Sequence, residues 1–307
     1  MAATYDRPVG KYAVRLALAA FLIADLALVV AVYRHVNADP ASVALPSPAS
    51  ADADPKPTEE PAKDEENQDA FEFNPVQSHV LSLANDGGLL AARRGQCDGK
   101  TTAEVQASDD YGKSLRKVDT GLTEVVAVQA DSSSDMTVVG ADESCQLRQR
   151  TTTDGGSTWL DEFTITLWHP DLKDDKVVGS GAGTSKPGCT VTSTNQVSDT
   201  LARVSCDDGV IIGTGDGGSS WVDLGRLDNV RVTTYASPSK AYALAKYQGC
   251  AANAFVTRDG GRSWTPGGCI SGDPAQALAQ SSDRLMAQVD GKLYVSRDEG
   301  ASWSPAS

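Results

Sequence analysis

Thr152-Thr153-Asp154-Gly155-Gly156-Ser157-Thr158-Trp159 is the stretch on which the reading of this 307-residue chain turns. It recurs as Thr214-Gly215-Asp216-Gly217-Gly218-Ser219-Ser220-Trp221 and as Thr257-Arg258-Asp259-Gly260-Gly261-Arg262-Ser263-Trp264. A fourth copy, Ser296-Arg297-Asp298-Glu299-Gly300-Ala301-Ser302-Trp303, carries Glu299 in place of the first glycine. A decayed fifth, Ser108-Asp109-Asp110-Tyr111-Gly112-Lys113-Ser114-Leu115, has Leu115 in the tryptophan position. Four of the chain's five tryptophans occupy this one slot, so chance placement is not credible. Self-similarity at a period of tens of residues decides architecture more firmly than local propensity does.

The string has the chemistry of a hairpin turn. Short β-type runs such as Phe255-Val256 and Tyr294-Val295 lead into it. Asp110, Asp154, Asp216, Asp259 and Asp298 are placed to accept backbone N–H groups. The second glycine of each copy (Gly112, Gly156, Gly218, Gly261, Gly300) can take φ > 0, which a side chain resists. Trp159, Trp221, Trp264 and Trp303 then bury a large ring against a neighbouring sheet. A catalytic reading makes little sense, because five copies imply five active sites.

This string resembles the Asp box, S/T-x-D-x-G-x-S/T-W, of the BNR-repeat β-propellers. That group includes sialidases, sortilin-type receptors, xyloglucan-active glycosidases and photosystem II assembly factors. The resemblance implies boxes on the turn between the third and fourth strands of each blade, away from the ligand face. It specifies fold and is nearly silent on function. The box aspartates are separated by 44, 62, 43 and 39 residues, and a four-stranded blade needs about 40–45. The expectation is an all-β propeller over residues 71–307 with about five four-stranded blades and an insertion near 168–190. Six blades are possible if that insertion, or the stretch Phe71–Val76, completes a degenerate blade. Within the insertion, Gly179-Ser180-Gly181-Ala182-Gly183 reads as a flexible loop. The strand after Trp303 is expected to be an outer one, and Phe71-Glu72-Phe73 to pair near it and close the ring.

Ahead of the repeats, Val14 to Val32 is almost wholly apolar apart from Arg15 and Asp25. About 20 such residues cross a ~30 Å hydrocarbon core, so 14–34 is expected to be a transmembrane signal-anchor helix. Arg7, Lys11 and Arg15 lie on its N-terminal side, placing residues 1–13 in the cytoplasm and the rest outside. A cleaved signal peptide is the alternative, with Val36-Asn37-Ala38 as a weak cleavage site. Residues 35–70 carry Pro40, Pro46, Pro48, Pro55, Pro57 and Pro61 among alanines and acids. That composition predicts a disordered stalk. High Ala, Asp and Gly with low Lys fits a high-GC bacterium, hence a single-pass protein of a bacterial cell membrane.

A formal net charge of −14 argues against nucleic acid, since phosphate binding needs clustered Lys and Arg. All six cysteines fall after residue 70 in the part expected outside the cell, with no zinc spacing among them, so disulfides rather than metal are indicated. On the propeller reading, Cys97, Cys145, Cys206 and Cys250 hold similar offsets from their boxes, in second-to-third-strand loops. Cys189 and Cys269 fall in connectors between blades. Those two loop sets share a face, which favours Cys97–Cys145, Cys189–Cys206 and Cys250–Cys269 among the 15 possible connectivities.

Catalytic motifs are scarce. The sequence lacks GxSxG, HExxH, P-loop and EF-hand patterns. The GxGxxG at Gly213, Gly215 and Gly218 opens no helix and completes a box instead. A sialidase-like glycoside hydrolase is the enzyme alternative, but the family's Arg-Ile-Pro opening motif is missing. No cofactor and no metal are implied. The favoured reading is a membrane-anchored, extracytoplasmic scaffold binding or assembling a protein or glycan partner. Arg93, Arg94, Trp168, His169 and Tyr247 are its candidate ligand-face residues, with Arg148 and Arg150 as further cations that could converge there.

Overall fold

Runs of small and β-branched apolar residues, punctuated every few positions by Gly, Asp and Ser, favour antiparallel ladders between sequence neighbours. The computed structural model describes residues 78–97 and 100–306, and every named element in it is a β-strand. The expected cytoplasmic segment, membrane span and stalk, and the Phe71–Val76 stretch, lie outside the described residues. Among the described residues no helix is long and apolar enough to cross a membrane.

Twenty-three strands form six sheets, each built from consecutive strands. Blade 1 is β1 (His79–Leu83), β2 (Leu89–Arg93), β3 (Glu104–Ser108) and β4 (Arg116–Val118). Blade 2 is β5 (Glu124–Ala130), β6 (Met136–Ala141), β7 (Leu147–Thr152) and β8 (Leu160–Glu162). Blade 3 has three strands, β9 (His169–Pro170), β10 (Val178–Ser180) and β11 (Gly183–Ser185). Blade 4 is β12 (Val191–Gln196), β13 (Ala202–Cys206), β14 (Val210–Thr214) and β15 (Val222–Arg226). Blade 5 is β16 (Val230–Tyr235), β17 (Ala241–Tyr247), β18 (Cys250–Thr257) and β19 (Thr265–Ile270). Blade 6 is β20 (Ala275–Gln280), β21 (Leu285–Val289), β22 (Lys292–Ser296) and β23 (Ser304–Pro305).

Burial peaks in the second strand of each four-stranded blade and is least in the outer one. The middle strands β13 and β17 are buried over almost their whole length, because both of their faces meet adjacent blades, while the outer strand β8 is exposed throughout. The apolar core accordingly divides into six clusters, one at each junction between neighbouring blades. Leu83 and Leu89 of blade 1 pack with Ala279 and Met286 of blade 6, which closes the ring. Closure removes free sheet faces, and the last strand, β23, is an outer one paired only to β22.

The expectation of about five blades is corrected to six, five of them four-stranded. The stretch taken for an insertion is blade 3. It carries no box because its outer strand follows a two-residue turn, Gly181-Ala182, rather than a box turn; the glycine-rich run expected as a flexible loop is the β10–β11 hairpin. With three strands, the blade ends at the correct edge only if its inner strand runs the other way. The Trp168 N–H meets Gln196 Oε1 (2.9 Å) at the end of β12, and the Val191 N–H at the start of β12 meets the Asp175 carbonyl (2.7 Å). β9 is therefore antiparallel to the inner strand beside it. Six blades fit a domain of this length because one of them is so short.

Each repeated turn joins the third and fourth strands of its blade and holds itself shut in the same way. Asp154 Oδ1 accepts the N–H groups of Ser157 and Thr158 (2.9 Å each) and the Thr152 hydroxyl (2.7 Å). The Thr152 oxygen in turn accepts the Gly156 N–H (2.9 Å), and Asp154 Oδ2 takes the Thr158 hydroxyl (2.6 Å). Gly156 stands at φ 92°, where a Cβ would lie 3.2 Å from Trp159 and from Val118 of the preceding blade. Each tryptophan is partly buried against a junction cluster, Trp159 at blades 1–2 and Trp303 at blades 5–6.

Two turns carry a side chain where the others have their first glycine, one in blade 1 and one in blade 6. Tyr111 (φ 61°) donates its hydroxyl to the Asn85 carbonyl (2.8 Å) and lies beneath the Arg284 guanidinium of blade 6, 3.6 Å from the ring centre. Glu299 (φ 58°) receives Lys240 (2.6 Å) and Arg258 of blade 5. At these positions the strain of a left-handed residue is offset by a contact across the junction.

Three disulfides complete the frame: Cys97–Cys145 links blades 1 and 2, while Cys189–Cys206 and Cys250–Cys269 are more local. Among the described residues no cysteine is free. The pairing is the one the propeller geometry favours, although Cys206 ends β13 and Cys250 begins β18 rather than lying in loops, and Cys269 lies in the outer strand β19 rather than in a connector.

Candidate functional site

Six inner strands surround a central channel of about 400 Å³. Neighbouring inner strands meet through side chains instead of backbone ladders. The Ser82 hydroxyl accepts the Ala130 N–H (2.9 Å) between blades 1 and 2. Asn195 Nδ2 donates to Thr233 Oγ1 (2.7 Å) between blades 4 and 5, beside the buried hydroxyl of Ser193. This use of short polar side chains leaves a hydrogen-bonding wall around the axis.

Four carboxamides stand on that wall: Gln129 on β5, Asn195 and Gln196 on β12, and Gln280 on β20. Gln129 Nε2 donates to Asp131 (2.6 Å), and Gln196 Oε1 accepts the Trp168 N–H. Asp131 is the one charged side chain among the described residues lining the channel. Leu83, Asp131 and Gln280 also line a second depression of about 420 Å³ that includes Asn85 and Lys240, so the channel opens on the face bearing the repeated turns. Sequence reasoning missed these carboxamides. The available signal was a glutamine at or near the end of the first strand in blades 2, 4 and 6.

The candidate ligand-face residues do not share one site. Arg94 is buried at the blade 1–2 junction, its guanidinium 2.6 Å from Glu124, whose other oxygen accepts the Cys97 N–H (3.2 Å). Arg93 is half-exposed beside Glu104 (3.5 Å). Both arginines line a depression of about 540 Å³ with Ser78 and His79, on the face opposite the repeated turns. Burial, and secondarily the Arg93 charge, pushes the His79 imidazole below its ordinary pKa.

Trp168 is only 4% exposed. Its indole N–H donates to the Asp199 carbonyl (3.2 Å), and its ring meets Trp221 edge-on at 5.9 Å. In the boxless blade 3 it supplies the large ring at the junction with blade 4. His169 is likewise buried, its Nδ1 2.9 Å from the Pro170 carbonyl oxygen and its other edge against Gly179, where a Cβ would meet Nε2 at 2.4 Å. Desolvation lowers its pKa.

Tyr247 is 39% exposed at a separate rim near Cys250–Cys269, edge-on to Phe255 at 5.4 Å. Arg148 pairs with Asp142 (3.0 Å) and Arg150 with Asp161 (2.7 Å), so neither reaches the Arg93–Arg94 depression. Among the described residues no group of three or more His, Cys, Asp or Glu side chains is placed to hold a metal ion.

No family model matches the sequence, and no curated protein matches it. Solved structures do. YCF48 bound to D1 peptide is 18% identical, with 76% of this chain and 72% of that one covered and a TM-score of 0.30. A mutant of the Aleuria aurantia lectin AAL in complex with Fucalpha1-6GlcNAc is 12% identical, covering 76% and 95% with a TM-score of 0.46. The GH74 xyloglucanase from Xanthomonas campestris is 15% identical, covering 75% and 38% with a TM-score of 0.31.

Proposed function

We propose that this chain is a membrane-anchored, extracytoplasmic member of the Asp-box propellers that binds a protein or glycan partner through the mouth and wall of its central channel. The carrying observation is the wall itself: a closed ring presents carboxamides from three blades around a space of about 400 Å³, within the range of small-ligand sites. The repeated turns and three disulfides make that ring rigid, and rigid scaffolds with exposed loops suit binding. Three disulfides also fit the oxidising compartment that an exported, membrane-anchored domain would occupy.

Binding is favoured over glycoside hydrolysis because that chemistry uses two carboxyl groups roughly 5–10 Å apart. The channel's described lining offers Asp131 alone. The test presents the full chain to a glycan array and to candidate membrane-protein segments, alongside the channel-filling variant Thr234→Trp. Retention by the native chain and loss in the variant supports the reading. Turnover of a fluorogenic glycoside overturns it.

A further inference from the structure

We infer that the channel's partner is an uncharged, extended peptide segment of about six residues, recognised through its backbone; this rests on the channel being the binding site. Each carboxamide in the wall has part of its hydrogen-bonding capacity used by the fold and part left over. Gln129 spends Nε2 on Asp131, leaving Oε1 as an acceptor. Asn195 spends Nδ2 on Ser193 and Thr233, leaving Oδ1. Gln196 spends Oε1 on the Trp168 N–H, leaving Nε2 as a donor. Among the described residues, Gln280 lines the channel with neither side-chain group in a hydrogen bond.

The remainder is a mixed set of donors and acceptors, held in orientation by the bonds already made. A peptide unit presents one N–H and one C=O, the same pair a carboxamide carries. A strand in extended form offers these alternately on its two sides, and the ring supplies partners from blades 2, 4 and 6. The inner strands are five to seven residues long apart from β9, so the wall runs for roughly 20 Å at ~3.3 Å per residue, the reach of an extended hexapeptide.

Two alternatives fit less well. An anionic ligand meets Asp131 and no arginine or lysine among the described residues lining the channel, and a cationic one finds that single carboxylate already engaged by Gln129. A sugar is usually held on an open aromatic face, yet the channel's two aromatics, Trp168 and Tyr235, are 4% and 6% exposed.

Gln280→Leu is the informative variant, because it deletes both unspent groups at near-constant volume and breaks no side-chain bond among the described residues. A phage-displayed heptapeptide library and a glycan array are each presented to the full chain, and the best peptide is synthesised and titrated. The inference expects recovered peptides poor in charged residues, binding at least tenfold weaker to Gln280→Leu, and an unchanged melting temperature. If glycans alone are retained and their binding shows the same dependence on Gln280, the channel reading stands and the peptide class falls. If nothing is retained from either library, or binding ignores both Gln280→Leu and Thr234→Trp, the channel reading itself falls.

Discussion

Replacing Arg94 by methionine breaks the buried ion pair between blades 1 and 2. Arg94 and Glu124 have side chains only 10% and 7% exposed and meet at 2.6 Å. Removing the guanidinium leaves a carboxylate in an apolar junction, with the Cys97 N–H, 3.2 Å away, as its remaining hydrogen-bond donor among the described residues. Breaking one partner of a buried pair typically costs about 3–5 kcal/mol. For a domain of this size, about 2–4 °C of melting temperature is lost per kcal/mol, so the drop should be roughly 6–20 °C. The double variant Arg94→Met/Glu124→Gln removes the stranded charge, keeps an acceptor for the Cys97 N–H, and should recover most of the loss. Differential scanning calorimetry on the native, single and double variants closes the cycle. A single variant that melts within 2–3 °C of the native chain (about 1 kcal/mol on the same scale), or a double variant no better than the single, refutes the argument that this junction depends on a desolvated pair.

Hydroxyl and backbone hydrogen bonds hold Asp110, Asp216 and Asp298 down to about 2, and Asp154 and Asp259 lower still. Unfolded aspartate titrates near 3.9, so the stability these groups contribute is complete above about pH 4 and lost as pH falls toward 2; a melting temperature constant from pH 5 to pH 2 contradicts this. Removing Cys97–Cys145, which closes 48 residues, should cost about 4 kcal/mol, against about 3 for Cys189–Cys206, which closes 17; urea titration of the two Cys→Ala pairs compares them. Gly225→Ala places a Cβ 2.2 Å from the Gly261 carbonyl of the next blade and should cost about 1–3 kcal/mol, whereas Gly215→Ala meets nothing within 4 Å and should stay within about 0.5.

The repeated turns were legible because their chemistry is local: an aspartate, a hydroxyl and a glycine within eight residues satisfy one another, and the sequence displays all of them. The disulfides were legible once the blades were, since the offsets of Cys97, Cys145, Cys206 and Cys250 from their turns place them on one face. Blade 3 was not legible. Its inner strand is two residues long, its hairpin needs only Gly181-Ala182, and it is defined by packing between blades 2 and 4 rather than by any local pattern. Trp168 and His169 looked like loop residues for the same reason, and the structure buries them in that blade. The channel carboxamides escaped because each is an ordinary polar residue in its own strand, and their convergence exists only after the ring closes.

The division of labour between staples and channel is tested most directly by measuring melting temperature and partner binding together for Asp259→Asn and Gln280→Leu. The account predicts that Asp259→Asn lowers the melting temperature and, below it, leaves the affinity for the selected partner intact. Gln280→Leu should do the reverse, keeping the melting temperature and weakening binding at least tenfold. Loss of binding in folded Asp259→Asn, with Gln280→Leu binding as tightly as the native chain, would contradict it.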